Sequence, residues 1–411
     1  MLNYIPKFIR GLCFGLVVFS GGIWGGLPAL ADDVKIYPFI TLREAYMSNL
    51  FYDASDREDD YITTPAAGIF CSSSSARLDM NLTGELKRLY FSEYDDLDTT
   101  EYNIQGVLDY YLTRRALVNI HGRFVRYGIP FEEIDGTDTT EEYAERKYLT
   151  TGLRGKYSLT ENISAGLIYN YINSDFDDNQ RYADYDYHHF EGQFKGGLDK
   201  CLPETTGVLN FGYGLYDFQY AEMDHYWLNI GVEKDLNAFY TLRLKGGPWY
   251  LDRDISDSQI DGIGLSADDY EENYDEWGWN GDVTLEYKGL NDTASLSLRK
   301  KLIPQRRGMG LKDETGCFFS YMRRISENLA CHADISYFVD RADAGDLSLV
   351  EVDRDGFQIR PRLIYRFFRN FAVEAVYSFT AYDEKTADED IDIHQAYVQL
   401  TYRHPVLDKT F

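Results

Sequence analysis

Seven histidines, His121, His188, His189, His225, His332, His394 and His404, are the side chains best placed to move protons near neutral pH. They are scattered along the chain. None stands in a GxSxG or HExxH setting that would supply a nucleophile or a zinc-bound water. His188 and His189 are adjacent in an alternating segment, so their rings point to opposite faces and cannot share one role. No enzyme is expected on these grounds. Two acidic runs, Glu132-Glu133-Ile134-Asp135 and Asp268-Asp269-Tyr270-Glu271-Glu272, offer oxygen ligands. Neither has the spaced pattern with a glycine turn that a calcium loop uses, so a solvated surface bridged by divalent cations is expected rather than a metal site. Nothing points to a cofactor.

The remaining chemistry is charge on one face of alternating segments. Arg123, Arg154, Lys156, Lys195, Arg243, Lys245, Arg299, Arg360, Arg362, Arg366 and Glu374 each occupy the polar row of such a segment. They are expected to line a lumen, with acids such as Asp109, Glu233, Asp282 and Asp334 mixed among them. The plainer reading is a set of ion pairs that props a wall open; the sharper one is an arginine ladder selecting anions. Tyr111, Trp227 and Phe338 share that inner face and are candidates for stacking on sugars.

The elements that must hold these residues are strands. In Phe371-Ala-Val-Glu-Ala-Val-Tyr-Ser-Phe379, the residues Phe371, Val373, Ala375, Tyr377 and Phe379 share one face, and Glu374 and Ser378 the other. The preceding segment puts Phe357, Ile359, Leu363 and Tyr365 outward, with Gln358, Arg360, Arg362 and Arg366 inward. Thirty-five Tyr and 24 Phe suit strands with aromatic girdles. Connections alternate between short turns, such as Thr113–Arg115, Asp235–Asn237 and Phe367–Asn370, and longer acidic ones, such as Ser174–Tyr185, Arg253–Asp275 and Asp383–Asp390. That alternation is what short periplasmic turns and long extracellular loops produce. No apolar run beyond residue 31 is long enough for a spanning helix. The expected fold is an all-β, antiparallel, up-and-down transmembrane barrel of about 18 strands, with 16 as the alternative count. The first strand is expected near 34–46 and the last near 391–402, the latter closed by Tyr402.

Residues 1–31 read as a cleaved signal peptide: Lys7 and Arg10 precede an apolar core over Leu12–Ile23, and Ala29-Leu30-Ala31 gives the small-residue cleavage pattern. Residues 32–411 are then one barrel domain, and losing two cations takes the net charge from −27 to −29. Such a polyanion lacks the basic footprint of a nucleic-acid binder. Outer-membrane lipid, lipopolysaccharide and the barrel assembly machinery are the expected surroundings of a Gram-negative outer-membrane protein. Cys71, Cys201, Cys317 and Cys331 remain after cleavage and are expected as free thiols, since folding the hairpin about Arg324–Asn328 leaves Cys317 and Cys331 out of register.

Near the start, Tyr37-Pro38-Phe39-Ile40 leads to Arg43-Glu44-Ala45-Tyr46-Met47-Ser48-Asn49-Leu50-Phe51, and then to Asp59-Asp60-Tyr61-Ile62-Thr63-Thr64-Pro65-Ala66-Ala67-Gly68-Ile69. This resembles the opening of the β-barrel porin 2 family and of related barrels found with exopolysaccharide and PEP-CTERM gene sets. The resemblance implies an outer-membrane barrel, in some systems eighteen-stranded, serving as the exit route for a secreted polysaccharide with a periplasmic export partner. It carries over no catalytic residues. One departure is the tail after Tyr402, Arg403-His-Pro-Val-Leu-Asp-Lys-Thr-Phe411, where an aromatic normally closes the last strand. The expectation is a passive conduit for exopolysaccharide. The alternatives are a general diffusion porin for small solutes, with Arg253–Asp275 as an infolding loop, or a structural barrel binding cations or matrix.

Overall fold

A chain of alternating segments carries one apolar and one polar row on each, and a closed sheet is the way for strands to satisfy every backbone group against lipid. The computed structural model has this form, and describes residues 33–55, 57–127, 145–177, 184–199, 201–218, 221–255, 273–305, 310–342, 351–386 and 388–410. Its strands are β1 (Asp33–Met47), β2 (Asp60–Ser74), β3 (Leu78–Phe91), β4 (Thr99–Tyr111), β5 (Ala116–Tyr127) and β6 (Arg146–Ser158). Then follow β7 (Ile163–Phe176), β8 (Tyr185–Gly197), β9 (Thr205–Phe218), β10 (Ala221–Asp235), β11 (Tyr240–Ile255) and β12 (Asn273–Lys288). The set ends with β13 (Asp292–Gln305), β14 (Gly310–Arg324), β15 (Leu329–Ala342), β16 (Val352–Phe367), β17 (Phe371–Glu384), β18 (Glu389–Arg403) and the short β19 (Leu407–Thr410).

Each strand from β1 to β18 pairs antiparallel with its neighbours, and β18 returns to β1 over Phe39–Met47, so the barrel is closed with 18 strands in its wall. β19 completes the seam by pairing with Asp33–Ile36. The sequence reading ended the wall at Tyr402 and missed β19, because His404-Pro405 interrupts the alternation. The ladder nevertheless continues across the break: the His404 and Val406 N–H groups donate to the carbonyls of Pro38 and Ile36. The signal-peptide reading lies outside the described residues, as do the acidic runs 132–135 and 268–272.

In the middle of the wall the outward row is apolar and exposed: Leu167 (72%), Ile230 (66%), Ile104, Leu153, Leu298 and Val398 are examples. Tyrosines and tryptophans flank it, with Tyr61, Tyr90, Tyr226 and Trp277 toward the loop end and Tyr110, Tyr157, Tyr240 and Tyr365 toward the turn end. So much exposed hydrocarbon on a closed sheet makes this a membrane-spanning wall.

Toward the loop end the alternation inverts. On β9 Tyr216 and Phe218 are buried inward and Asp217 faces out. On β10 Ala221 and Met223 are buried and Glu222 and Asp224 face out. β18 repeats this with Ile391 and Ile393 against Asp390 and Asp392. Above the membrane band the wall therefore has the polarity of a soluble barrel, apolar inside and acidic outside. One inner cluster gathers Tyr185, Tyr216, Met223, Trp249 and Leu251, reaching Leu311 of β14 and Ala342 of β15. The other joins Met47, Ile62, Phe91, Phe338, Tyr382 and Ile393, together with Leu50 and Tyr52 from the β1–β2 connection. The inverted rows also extend the strands beyond the expected ends: β10 begins at Ala221 rather than 225, β14 at Gly310 rather than 315, and β11 runs to Ile255 rather than 251. Ser174 and Tyr185, assigned to a loop from sequence, are buried strand residues for the same reason.

The N-terminal motif serves this upper half. The Asn49 side chain closes a turn, its Nδ2 donating to the Asp53 carbonyl at 2.7 Å and its Oδ1 accepting the Asp53 N–H at 3.0 Å. Tyr52 sits at a φ of 58° within that turn. Asp60 is 2% exposed. Its carboxylate accepts the N–H groups of Tyr61 (2.7 Å), Ser92 (3.1 Å), Glu93 (3.2 Å) and Tyr94 (3.4 Å), fastening the β3–β4 connection to the start of β2.

Candidate functional site

The inner face of the barrel divides at the inversion. Its turn-end half is polar and accessible, and the charged residues singled out from the sequence sit there in separate groups around the wall. On β1, β16, β17 and β18 the Arg362 Nε lies 3.5 Å from Glu374, which accepts the Tyr397 hydroxyl at 2.9 Å. Arg43 stacks over the Tyr397 ring at 4.7 Å and donates to Gln399 at 3.0 Å. Arg360 stands opposite Asp334 in the ladder, and Arg366 opposite Ala372. On β8 to β13, Lys195 pairs with Glu233 at 2.7 Å and Arg243 pairs with Glu286. Lys245 and Arg299 both face Asp282 from neighbouring strands, and the Arg299 guanidinium lies 4.3 Å from the Phe318 ring centroid. Arg123 stands opposite Thr150, Arg154 opposite Asn119, and Lys156 opposite Leu117. These side chains form three separate patches, the first two with their own acids, rather than one continuous ladder.

Rings on the inner face are seated on glycines. A Cβ on Gly212 would fall 2.0 Å from the Trp227 ring, and one on Gly356 would fall 2.1 Å from the Phe338 ring. The absent side chain lets each ring lie flat against the neighbouring strand, a packing role that also covers backbone. Phe338 is buried, so it offers no face to a sugar; Tyr111 is exposed at the turn end. His188 and His189 point to opposite faces: His188 meets the outward Tyr169 hydroxyl at 3.0 Å, and His189 lies inward, 3.5 Å from Glu191.

The loop-end half holds a buried charged network that sequence reasoning missed. Lys312, Glu314, Asp340 and Arg354 are buried inside the bore, and Asp340 is 0% exposed. Its Oδ2 accepts Lys312 Nζ at 2.9 Å and Arg354 Nη2 at 2.7 Å, while Lys301 reaches Glu314 at 3.3 Å. Arg146 donates to Ser174 at 2.8 Å and Tyr127 at 3.0 Å and lies 4.6 Å from the Tyr148 ring centroid. An 18-stranded wall ordinarily encloses water. Here long side chains that would reach into that space are shielded from it, so the loop-end half of the bore is filled. The sign that could have revealed this is the inverted alternation, for instance Asp390-Ile391-Asp392-Ile393.

Among the described residues no group of His, Cys, Asp or Glu is arranged to hold a metal ion. Cys71, Cys201, Cys317 and Cys331 are free thiols, and Cys317 lies opposite Tyr337 whereas Cys331 lies opposite Arg323.

No protein-family model matches the chain, and no curated protein matches it. Solved structures do. OccK2 (OpdF) of Pseudomonas aeruginosa aligns with a TM-score of 0.49 and 10% identity, over 92% of this chain and 99% of that one. OccAB4 of Acinetobacter baumannii aligns at 0.46 and 13%, over 90% and 98%. The siderophore receptor PirA of P. aeruginosa aligns at 0.46 and 11%, over 90% and 80%. At these values the likeness adds nothing to the architecture that the strand ladder itself displays.

Proposed function

We propose that this chain is an outer-membrane, porin-like channel for small polar solutes. The observation that carries the reading is the accessible, charged turn-end half of the bore, enclosed by a wall whose outward band is apolar. The filled loop-end half argues against the polysaccharide conduit suggested by the family resemblance. A polymer in transit needs an unobstructed bore along its whole length, and the buried clusters around Met223 and Leu251 and around Met47 and Ile393 narrow its loop-end half. Small solutes need only a narrow path between side chains. The turns face the periplasm in this reading and the acidic ends face lipopolysaccharide and its divalent cations. The export signal over residues 1–31 and delivery by the barrel assembly machinery belong to the same proposal.

The test is reconstitution. In planar bilayers the purified barrel is expected to give small conductance steps, and in proteoliposomes to admit monosaccharides and amino acids while excluding dextrans. Block by soluble polymer, or loss of polysaccharide export in a deletion strain with unchanged small-solute uptake, would reinstate the conduit. A barrel that passes no ions and no solutes would overturn both and leave a structural role, which the filled loop end also accommodates.

A further inference from the structure

The wall is not zipped along its whole height. Between β12 and β13 the ladder runs from Lys288 opposite Thr293 to Gly281 opposite Lys300, and stops there. Both strands continue toward the loop end, β12 through residues 273–280 and β13 through 301–305. Each keeps its other neighbour, β11 as far as Asn273 and β14 as far as the pairing of Gln305 with Gly310. Among the described residues the facing edges above Gly281 and Lys300 therefore have no strand partner. Leu302 and Leu311 account for the parting. They continue the outward rows of Leu298 and Phe319, yet both pack into the inner cluster that holds Trp249 and Leu251. The head of the β13–β14 hairpin thus leans into the bore and away from β12.

The parting begins at membrane depth. Val283 and Leu298, opposite one another below its foot, are exposed in the lipid-facing band, and Trp277 stands above in the loop-end aromatic belt. Hydrocarbon cannot satisfy backbone N–H and C=O groups, so the edges between these two levels need water or another polar group against them. On the outer lip, Trp277 and Trp279 are 69% and 68% exposed, and indole suits a boundary between hydrocarbon and water. On the inner side, Lys245 and Arg299 both stand opposite Asp282, one step below the foot. The Thr284 hydroxyl donates to Asp282 at 3.0 Å. Among the described residues neither cation forms an ion pair.

We propose that the parting is a lateral portal, through which an amphiphile with an alkyl chain and an anionic head group passes between the bore and the loop-side leaflet. The polar strand edges let a head group cross at a depth where a closed wall would bar it. Lys245 and Arg299 receive the anion inside, and Trp277 and Trp279 meet the chain outside. This route goes beyond the axial passage of small polar solutes, which needs no contact with lipid.

The probe is dodecyl sulfonate carrying a photoreactive diazirine at its chain end, added to proteoliposomes of the full barrel, with labelled positions read by mass spectrometry. Label is expected on residues 277–280 and 301–304, displaced by unlabelled dodecyl sulfonate and not by dodecyltrimethylammonium. It should fall about tenfold when Lys245→Gln and Arg299→Gln are combined, because bonds to a charged group are lost. The geometry is checked separately in a background with Cys71, Cys201, Cys317 and Cys331 replaced by alanine. A continued register would set Trp277 opposite Pro304. Trp277→Cys with Pro304→Cys should therefore resist oxidation, whereas Val283→Cys with Leu298→Cys, paired below the foot, should form a disulfide. Every variant should keep the heat-modifiable migration of a folded barrel. Rapid oxidation of the first pair within one chain would show a zipped wall and overturn the portal. So would label spread evenly around the outward rows, label indifferent to the Lys245→Gln and Arg299→Gln changes, or a disulfide joining two copies through Trp277→Cys and Pro304→Cys.

Discussion

Replacing Asp340 by asparagine tests whether the loop-end half of the bore is a packed, load-carrying interior. Asp340 is fully buried and its Oδ2 receives both Lys312 and Arg354, whose side chains are 2% and 8% exposed. Charge-assisted bonds to a buried group contribute about 1.5–3 kcal/mol each, and removing one member of a buried ionic set costs about 3–5 kcal/mol because the others stay behind uncompensated. Asparagine retains one carbonyl acceptor, so Asp340→Asn is expected to cost about 3 kcal/mol, and Asp340→Leu, which retains none, about 5 kcal/mol. The measurement is equilibrium unfolding in urea of barrels reconstituted in short-chain lipid vesicles, followed by tryptophan fluorescence. The loss should persist at high salt, since buried pairs are weakly screened. Single-channel conductance should rise in the same variant, because the network holds buried side chains of the adjacent strands β14, β15 and β16 in place on the inner face of the filled half. A loss below about 1 kcal/mol, within reach of an ordinary surface change, together with unchanged conductance would refute the idea that these side chains close the bore.

Three further outcomes are expected. Gly356→Ala places a Cβ 2.1 Å from the Phe338 ring and should cost about 1–3 kcal/mol in the same unfolding assay, whereas at Gly84 a Cβ meets nothing within 4 Å and alanine should be neutral. Asp60→Ala removes the carboxylate that the Tyr61, Glu93 and Tyr94 N–H groups donate to and leaves Ser92 with only the Tyr61 carbonyl, which should cost about 1–3 kcal/mol and make residues 92–98 the first site of limited proteolysis. Of the four thiols, Cys201 is exposed in the β8–β9 turn and should react first with a charged maleimide on reconstituted barrels, ahead of Cys71, Cys317 and Cys331 on the outward rows of their strands.

The architecture was legible because a membrane wall writes itself as alternation. Residues such as Val373, Ala375 and Tyr377 must face lipid, so their neighbours must face in, and strand number follows from counting the turns. The same rule located the charged inner positions of the turn-end half. It broke down at the loop end, where lipid no longer dictates polarity. There Met223 and Leu251 turn inward and Asp224 and Asp252 turn out, so a rule of polar residues inside assigns both faces wrongly. Pairings such as Arg243 with Glu286 join neighbouring strands and are open to inspection once register is known. The Lys312–Asp340–Arg354 set also links adjacent strands, but its members fell in segments assigned to loops or near strand ends, where no register had been set. Asn49 and Asp60 were recognised as parts of a motif; their work as loop fasteners needed the fold.

The seam between β1 and β18 has a consequence for how such a barrel comes into being. Its ladder joins partners as far apart as Arg43 and Gln399, 356 residues distant along the chain, while every other junction links successive hairpins. Hairpins can therefore form early and locally, but closure must wait until the C-terminal segment is available, including β19 against Asp33–Ile36. Until that moment the growing sheet has two open edges of unsatisfied N–H and C=O groups, which lipid cannot solvate and which another sheet can capture. A strand-donating partner at the point of insertion would satisfy them, and release from it would coincide with the zipping of residues 389–410 onto the first strand.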